Sequence, residues 1–267
     1  MASSTSQDRP YPFQRNHKAS MRLNFNHFWM KSIAGYLIHP KIPIDRENLR
    51  IADIGAGTGI WASEVATTLP SSTVDAIDIS AEQYPPEDWR LPNVRYAAHD
   101  CFEPFSEEYV GKFDIVHVQF LLRVVDDDRA EALIQNLSSL LRPGGYLQWF
   151  EPLPYTAYVL SSDTAGPTPA CDKFVQMWKK PAPHTSSDWV HNLASLFRAN
   201  NLQAVVDEQY ENPAYYRPIA AQSALIGLEE FMHVRPDLQD LQEKIGEEFQ
   251  KGAIVNVRYS CVVGKKP

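Results

Sequence analysis

The run Asp53-Ile54-Gly55-Ala56-Gly57-Thr58-Gly59 stands between an apolar stretch of strand length and an amphipathic stretch of helix length, and it constrains the fold more than any other feature. Glycines at such a junction let the backbone turn with positive φ and approach a ligand with no Cβ in the way. Leu49–Ile54 reads as a buried strand, and behind the glycines Trp61, Val65, Ala66 and Leu69 recur at helical spacing up to Pro70. The alternation continues through Thr73–Ile79, Val94–Ala98, Phe113–Phe120 and Tyr146–Glu151 as further strands. Ala130, Leu133, Ile134, Leu137 and Leu141 mark one helix face, which Pro143-Gly144-Gly145 terminates. Tyr84-Pro85-Pro86 leaves little room for a full helix between the second and third strands. Such alternation is the signature of a parallel sheet flanked by helices.

The glycine spacing is G-x-G-x-G, with Ile60 where the dinucleotide fingerprint G-x-G-x-x-G needs its third glycine, which weighs against a nicotinamide-dependent enzyme. Asp78 ends the second strand, where a carboxylate can accept both hydroxyls of a ribose. Asp100 follows the third strand and can accept from the amine of an adenine, with Phe102 available to stack on the ring. The pattern predicts a nucleoside ligand without a 2′-phosphate.

Other parts of the chain break the rhythm. Ser20–Leu37 carries Phe25, Phe28, Trp29 and Tyr36 and predicts a helix of roughly 27 Å that caps one end of the sheet. Pro152–Pro183 holds six prolines around one helical candidate, Cys171–Lys179, and reads as an inserted lid. Ser187–Asn200 reads as a helix, Leu202–Tyr210 as a strand, Pro218–Phe249 as mostly helical, and Ile254–Val263 as a β-rich run able to pair antiparallel at the sheet edge.

Composition narrows the function classes. With 267 residues, 44% of them hydrophobic, the chain can bury a large core. No apolar run reaches the roughly 18–20 residues that span a bilayer, so no membrane partner is expected. MASSTSQDRP has neither a basic nor an apolar region of signal-peptide type, and a cytoplasmic address is the expectation. Cys101, Cys171 and Cys261 are too scattered for a disulfide framework or a metal site. A net charge of -8 gives no electrostatic support for binding nucleic acid.

The segments LRIADIGAGTGIWA, TVDAIDIS, RYAAHDCFEPF, FDIVHVQFLLRVV and LLRPGGYLQWFE together resemble class I S-adenosylmethionine (SAM)-dependent methyltransferases. More narrowly, Tyr11 to Glu151 is similar to the fungal secondary-metabolite type, including gliotoxin-pathway N-methyltransferases and, more distantly, velvet-complex regulators. The resemblance implies an α/β, Rossmann-like fold: a seven-stranded, mostly parallel sheet with helices on both faces. Residues 1–45 form a helical cap, 46–267 the methyltransferase domain and 152–186 an inserted lid. It implies that Asp53, Gly55, Ala56, Gly57 and Gly59 line the methionine side of SAM, Asp78 and Ile79 hold the ribose, and Asp100, Cys101 and Phe102 bracket the adenine. Gln119 lies under the sulfonium, and Tyr11, Arg22-Leu23 and His27 match an N-terminal pattern that closes over the cofactor. Family members often have an acidic residue where this chain has Ala19-Ser20, and an Asp where Phe150 stands, so the acceptor site departs from the pattern while the cofactor site does not.

Methyl transfer from a sulfonium is an in-line displacement that chiefly needs alignment of a nucleophile, with little acid–base machinery. Should the acceptor need to lose a proton, His27 and Glu151 are the candidate bases, Glu151 alternatively orienting Arg22. His117 shares one strand side with Ile115 and Gln119 and reads as a hydrogen-bonded core histidine. Trp29, Phe120, Phe150, Met177 and Trp178 are candidates for a flat apolar acceptor pocket, although core packing accounts for each equally well. The expected activity is methylation of an O, N or S atom on a small, largely apolar acceptor by a monomer or homodimer, with S-adenosyl-L-homocysteine (SAH) as product. The alternative is the same fold without methyl transfer, as a regulator in a protein complex or a SAM-binding cyclase.

Overall fold

The structure is a computed structural model and describes residues 13–162, 166–179, 186–232 and 235–267. In chain order the elements are α1 (His17–Ala34), β1 (Arg50–Ile54), α2 (Ile60–Thr68), β2 (Thr73–Asp78), β3 (Val94–Ala98), β4 (Phe113–Gln119), α3 (Asp127–Leu140) and β5 (Leu141–Ser161). They continue with α4 (Pro169–Lys179), α5 (Asp188–His191), α6 (Leu193–Ala199), β6 (Gln203–Tyr210), α7 (Arg217–Phe231), α8 (Gln239–Gln250) and β7 (Ala253–Lys265). Only a 3-10 turn, Glu87–Trp89, precedes β3, as the prolines of that crossover require.

The seven strands lie in the order β3-β2-β1-β4-β5-β7-β6. β3, β2, β1, β4 and β5 run parallel, and β7 runs antiparallel to both β5 and β6. The order reverses between β1 and β4, and ligands of open α/β sheets bind at the carboxyl ends beside that reversal.

Alternate residues of each strand serve two cores. Ile51, Ile115 and Phe150 face the side that carries Trp29 and Met30 of α1, Trp61 and Val65 of α2, Phe174 of α4 and Ile245 of α8. Their neighbours Ala52, Val116 and Trp149 face Leu133 and Leu137 of α3, Trp189 of α5 and Phe197 of α6. α1 starts at Asn16, whose side chain accepts from Ala19 N at 3.0 Å, and ends at Gly35 with φ +81°, donating to Lys31 O at 2.8 Å.

Several boundaries differ from the sequence reading. Residues 152–161, expected within a lid, instead extend β5, which pairs with β7 as far as Ser161 across a bulge after Leu153. Pairing of β5 with β4 stops at Phe150, so Pro152 and Pro154 stand where one side of the strand has no ladder to lose. β7 is interior and β6 forms the edge, because β6 pairs along β7 from Gln203 to Tyr210. Ser187–Asn200 is two short helices meeting at Asn192.

Candidate active site

The loop after β1 has the expected backbone. Gly55, Gly57 and Gly59 take φ of +72°, +55° and +72°, and Gly55 N and Ala56 N donate to Ile77 O at 2.8 and 3.2 Å, tying the loop to the end of β2. Asp78 turns back onto the loop: its Oδ2 accepts from Gly57 N at 2.8 Å and its Oδ1 from Ser80 N at 3.2 Å. Burial raises the Asp78 pKa, while these N–H groups and the nearby charge of Arg15 pull it down. Asp53 is buried behind the loop with Oδ2 unpartnered, and burial, reinforced by Asp78, pushes its carboxyl up to about 8.

Helix α1 lies over the same loop. A Cβ on Gly57 would stand 3.0 Å from Leu23 Cδ1, and Thr58 Oγ1 bonds Asn24 Oδ1 at 2.6 Å. Arg22, expected to close over the cofactor, instead pairs through Nε with Glu230 of α7 at 2.9 Å, its guanidinium resting on Phe13. Tyr11 lies outside the described residues.

Ile79 follows Asp78 and is 56% exposed, an apolar surface at the sheet end. Beside it, Asp100 Oδ1 accepts from Phe102 N at 3.0 Å, and burial pushes the Cys101 thiol up to about 12. Arg129 stacks over the Phe102 ring at 3.5 Å. Across the reversal, Phe120 leaves β4 with φ +60°, a costly conformation for a bulky residue, its N–H donating to Phe150 O at 3.1 Å.

The two candidate bases part company. Glu151 is 0% exposed and points into the α3 side of the sheet, accepting from Leu121 N at 2.6 Å, Leu122 N at 3.1 Å and Trp149 Nε1 at 2.8 Å. Burial pushes it up to about 8 against the pull of those three donors. It does not line the cavity under α1, and Arg22 pairs elsewhere; Glu151 holds the chain that follows β4. His27 is 2% exposed, with Nε2 bonded to Glu64 Oε2 at 2.6 Å while Lys31 holds the other Glu64 oxygen. Burial lowers the His27 pKa, with Glu64 opposing. His27, Met30, Lys31, Tyr36, Leu37, Trp61, His117, Gln119 and Phe150 line one small cavity of ≈ 10 Å³ between α1 and the sheet.

The acceptor candidates are gathered on that side. Trp29 and Phe120 both meet the Tyr259 ring edge-on, at 5.3 and 6.5 Å, and Tyr36 lies 6.0 Å from Phe150. Trp29 also donates to Asn212 Oδ1 at 2.8 Å, so it anchors α1 to the far end of the sheet. Met177 and Trp178 pack at the margin of this core, with Arg123 over the Trp178 ring at 5.1 Å. No local sequence pattern marks Arg15, Asn24, Lys31 and Glu64, because each acts through a distant segment. His117 is a buried core residue, as its strand pattern predicts, and α1 completes the cavity beside it.

The fold and this loop define a Rossmann-like methyltransferase domain. The sequence matches the family described as Methyltransferase domain over residues 24–207, and the chain belongs to that family. It is similar to the N-methyltransferase tcpN of Claviceps purpurea, 32% identical over 140 residues that make up 51% of this chain and 50% of that protein. It is likewise similar to the methyltransferase grgD of a Penicillium species, 34% identical over 161 residues, 57% of this chain and 55% of the relative. The matched stretch thus spans about half the length of these relatives. Among solved structures, Haemonchus contortus phosphoethanolamine N-methyltransferase 2 in complex with S-adenosyl-L-methionine shares the fold, with a TM-score of 0.53 at 15% identity over 91% of this chain and 52% of that one. No helix among the described residues is long and apolar enough to cross a membrane.

Proposed function

We propose that the protein is a SAM-dependent methyltransferase acting on an O, N or S atom of a small, largely apolar secondary-metabolite intermediate. The observation that carries this reading is the Gly57–Asp78 contact, a left-handed glycine turn whose amide meets the carboxylate of the next strand. The residues present fit the cofactor. Asp78 keeps a lone pair on each oxygen for ribose hydroxyls after its two amide bonds, and Ile79 and Phe102 offer apolar surface for an adenine. The unpartnered, buried Asp53 Oδ2 lies behind the glycines that the methionine portion would approach.

SAM supplies an activated methyl group on a sulfonium, ready for in-line displacement. The chain binds, orients and excludes water. Gly55, Gly57 and Gly59 admit the cofactor, Asp78 and Asp100 fix its nucleoside, and α1, through Leu23 and Asn24, covers the loop, so the described part of residues 1–45 serves as a cap. α4, the described helix of the proline-bounded segment, serves as a second cover. For an acceptor that must lose a proton, His27 takes it, with Glu64 as the positioning carboxylate. A soluble, cytoplasmic protein of one or two subunits follows from the same reading.

Calorimetric titration with SAM and then SAH tests the reading. Micromolar binding of both is the expected result and leads to screening of aromatic acceptors for methylation. Absence of heat with either ligand overturns the enzyme reading and favours a regulatory use of the fold.

A further inference from the structure

The cavity under α1 contains a buried donor whose proton position is determined by its neighbours. Gln148 is bound at both ends of its amide: Oε1 accepts from His39 N at 2.7 Å and Nε2 donates to Leu37 O at 2.9 Å. Those two backbone partners fix the orientation of the amide, so its NH₂ group also faces His117 Nδ1, at 3.1 Å. Nδ1 must then accept. Burial pushes the His117 pKa down to about 3, so the ring is neutral near pH 7 and its one proton sits on Nε2. The ring cannot tilt away, since Trp61 stacks on it at 3.9 Å and 8°. Gln119 approaches that edge of the ring, yet Nε2 has no hydrogen bond of ordinary geometry. A buried donor left in this state carries a desolvation penalty that a ligand atom would recover.

The cavity has room for about one atom or water, and two of its sheet residues, Gln119 and Phe150, are paired where the β4–β5 ladder ends. Tyr36, Trp61 and Phe150 supply aromatic walls.

Resting on the methyltransferase reading above, we propose that His117 is a specificity residue whose Nε2–H donates to an oxygen lone pair on a small aromatic methyl acceptor, with that oxygen seated in this cavity beside Gln119. Oxygen suits the role because it keeps a second lone pair when one is held by His117. An amine bound in this way would lose the lone pair it needs for attack. His27, on the opposite wall, is the group that can take a hydroxyl proton.

The test uses the full chain labelled with ¹⁵N-histidine, saturated with SAH and titrated with benzaldehyde, phenol or toluene. Long-range ¹H–¹⁵N spectra are expected to show His117 neutral and protonated at Nε2 from pH 5 to 8. Benzaldehyde and phenol should shift its Nε2 signal, and toluene should not. His117→Phe keeps the stack on Trp61 and is expected to lose about tenfold in benzaldehyde affinity, with toluene binding unchanged. A proton on Nδ1, an unmoved Nε2 signal, or equal benzaldehyde affinity in the variant overturns the proposal. If H117F fails to fold because Gln148 loses its acceptor, the wild-type spectra decide. SAH binding is measured on the same sample: its absence overturns the methyltransferase reading, whereas SAH binding with a silent His117 overturns this inference alone.

Discussion

Asp78, at the end of β2, and Glu151, within β5, show how two carboxylates of one sheet acquire different work. Asp78 curls onto Gly57 with lone pairs to spare at the mouth of the glycine loop, so its removal acts on ligand binding. Asp78→Ala is expected to weaken SAM binding by about 1–3 kcal/mol in calorimetry, and normal affinity would overturn the ribose assignment. Glu151 has all its neighbours inside the protein. Glu151→Gln turns an NH₂ toward Leu122 N–H or Trp149 Nε1–H, setting donor against donor, and is expected to cost about 1–3 kcal/mol in a denaturant melt above pH 8, where the native carboxylate is ionised. Once fold loss is corrected for, it should leave the pH profile of methyl transfer unchanged; a lost alkaline limb would restore Glu151 as a base. Gly59 is the tightest of the loop glycines, since a Cβ there would lie 2.5 Å from the Tyr96 ring. Gly59→Ala combines that clash with an unfavourable positive φ and should lower the melting temperature.

Helix α1 is held from two sides, and each contact carries a different consequence. Toward the sheet, Leu23 and Asn24 meet the glycine loop, while Trp29 and Met30 enter the core. Toward α7, Lys18 pairs with Glu229, Arg22 with Glu230 and Asn26 with Ser223. An aromatic helix of this composition is legible as a cap, but its partner is not, since Arg22 and Glu230 meet across most of the chain. Removing residues 1–37 is expected to weaken SAM affinity at least tenfold by opening the loop to solvent, and unchanged affinity would refute the cap. Asn24→Ala, which removes only the Thr58 contact, separates a local effect from loss of the whole helix. β5 teaches the opposite lesson: prolines that locally read as a break are tolerated, because a strand with one unpaired side has fewer amides to satisfy.

Taken as one folded unit, the protein balances buried groups of opposite sign in their pH response. His117 has a folded pKa of about 3, below its unfolded value, so the unfolded chain binds the extra proton and stability rises with pH from about 3 to 6.5. Asp53 and Glu151 are raised to about 8, so the folded chain holds the extra protons and their contribution falls as pH climbs from about 4.5 to 8. Urea unfolding at pH 5, 6.5 and 8 is expected to show Asp53→Asn flattening the fall with pH and His117→Phe steepening it below pH 6.5, because the one rising contribution is then removed. Parallel curves for variant and wild type would show that these groups do not govern the profile. From Leu49 to Phe150 the strands, the glycine turn and Asp78 were legible because each is a local matter: period, chain stiffness and turn chemistry act over a few residues. The interior place of β7, the pairing of Arg22 with Glu230, the enclosure of Glu151 and the His117 cavity were decided only in three dimensions. Burial and hydrogen bonding there join groups 30 to 208 residues apart, and no short-range pattern records such partners.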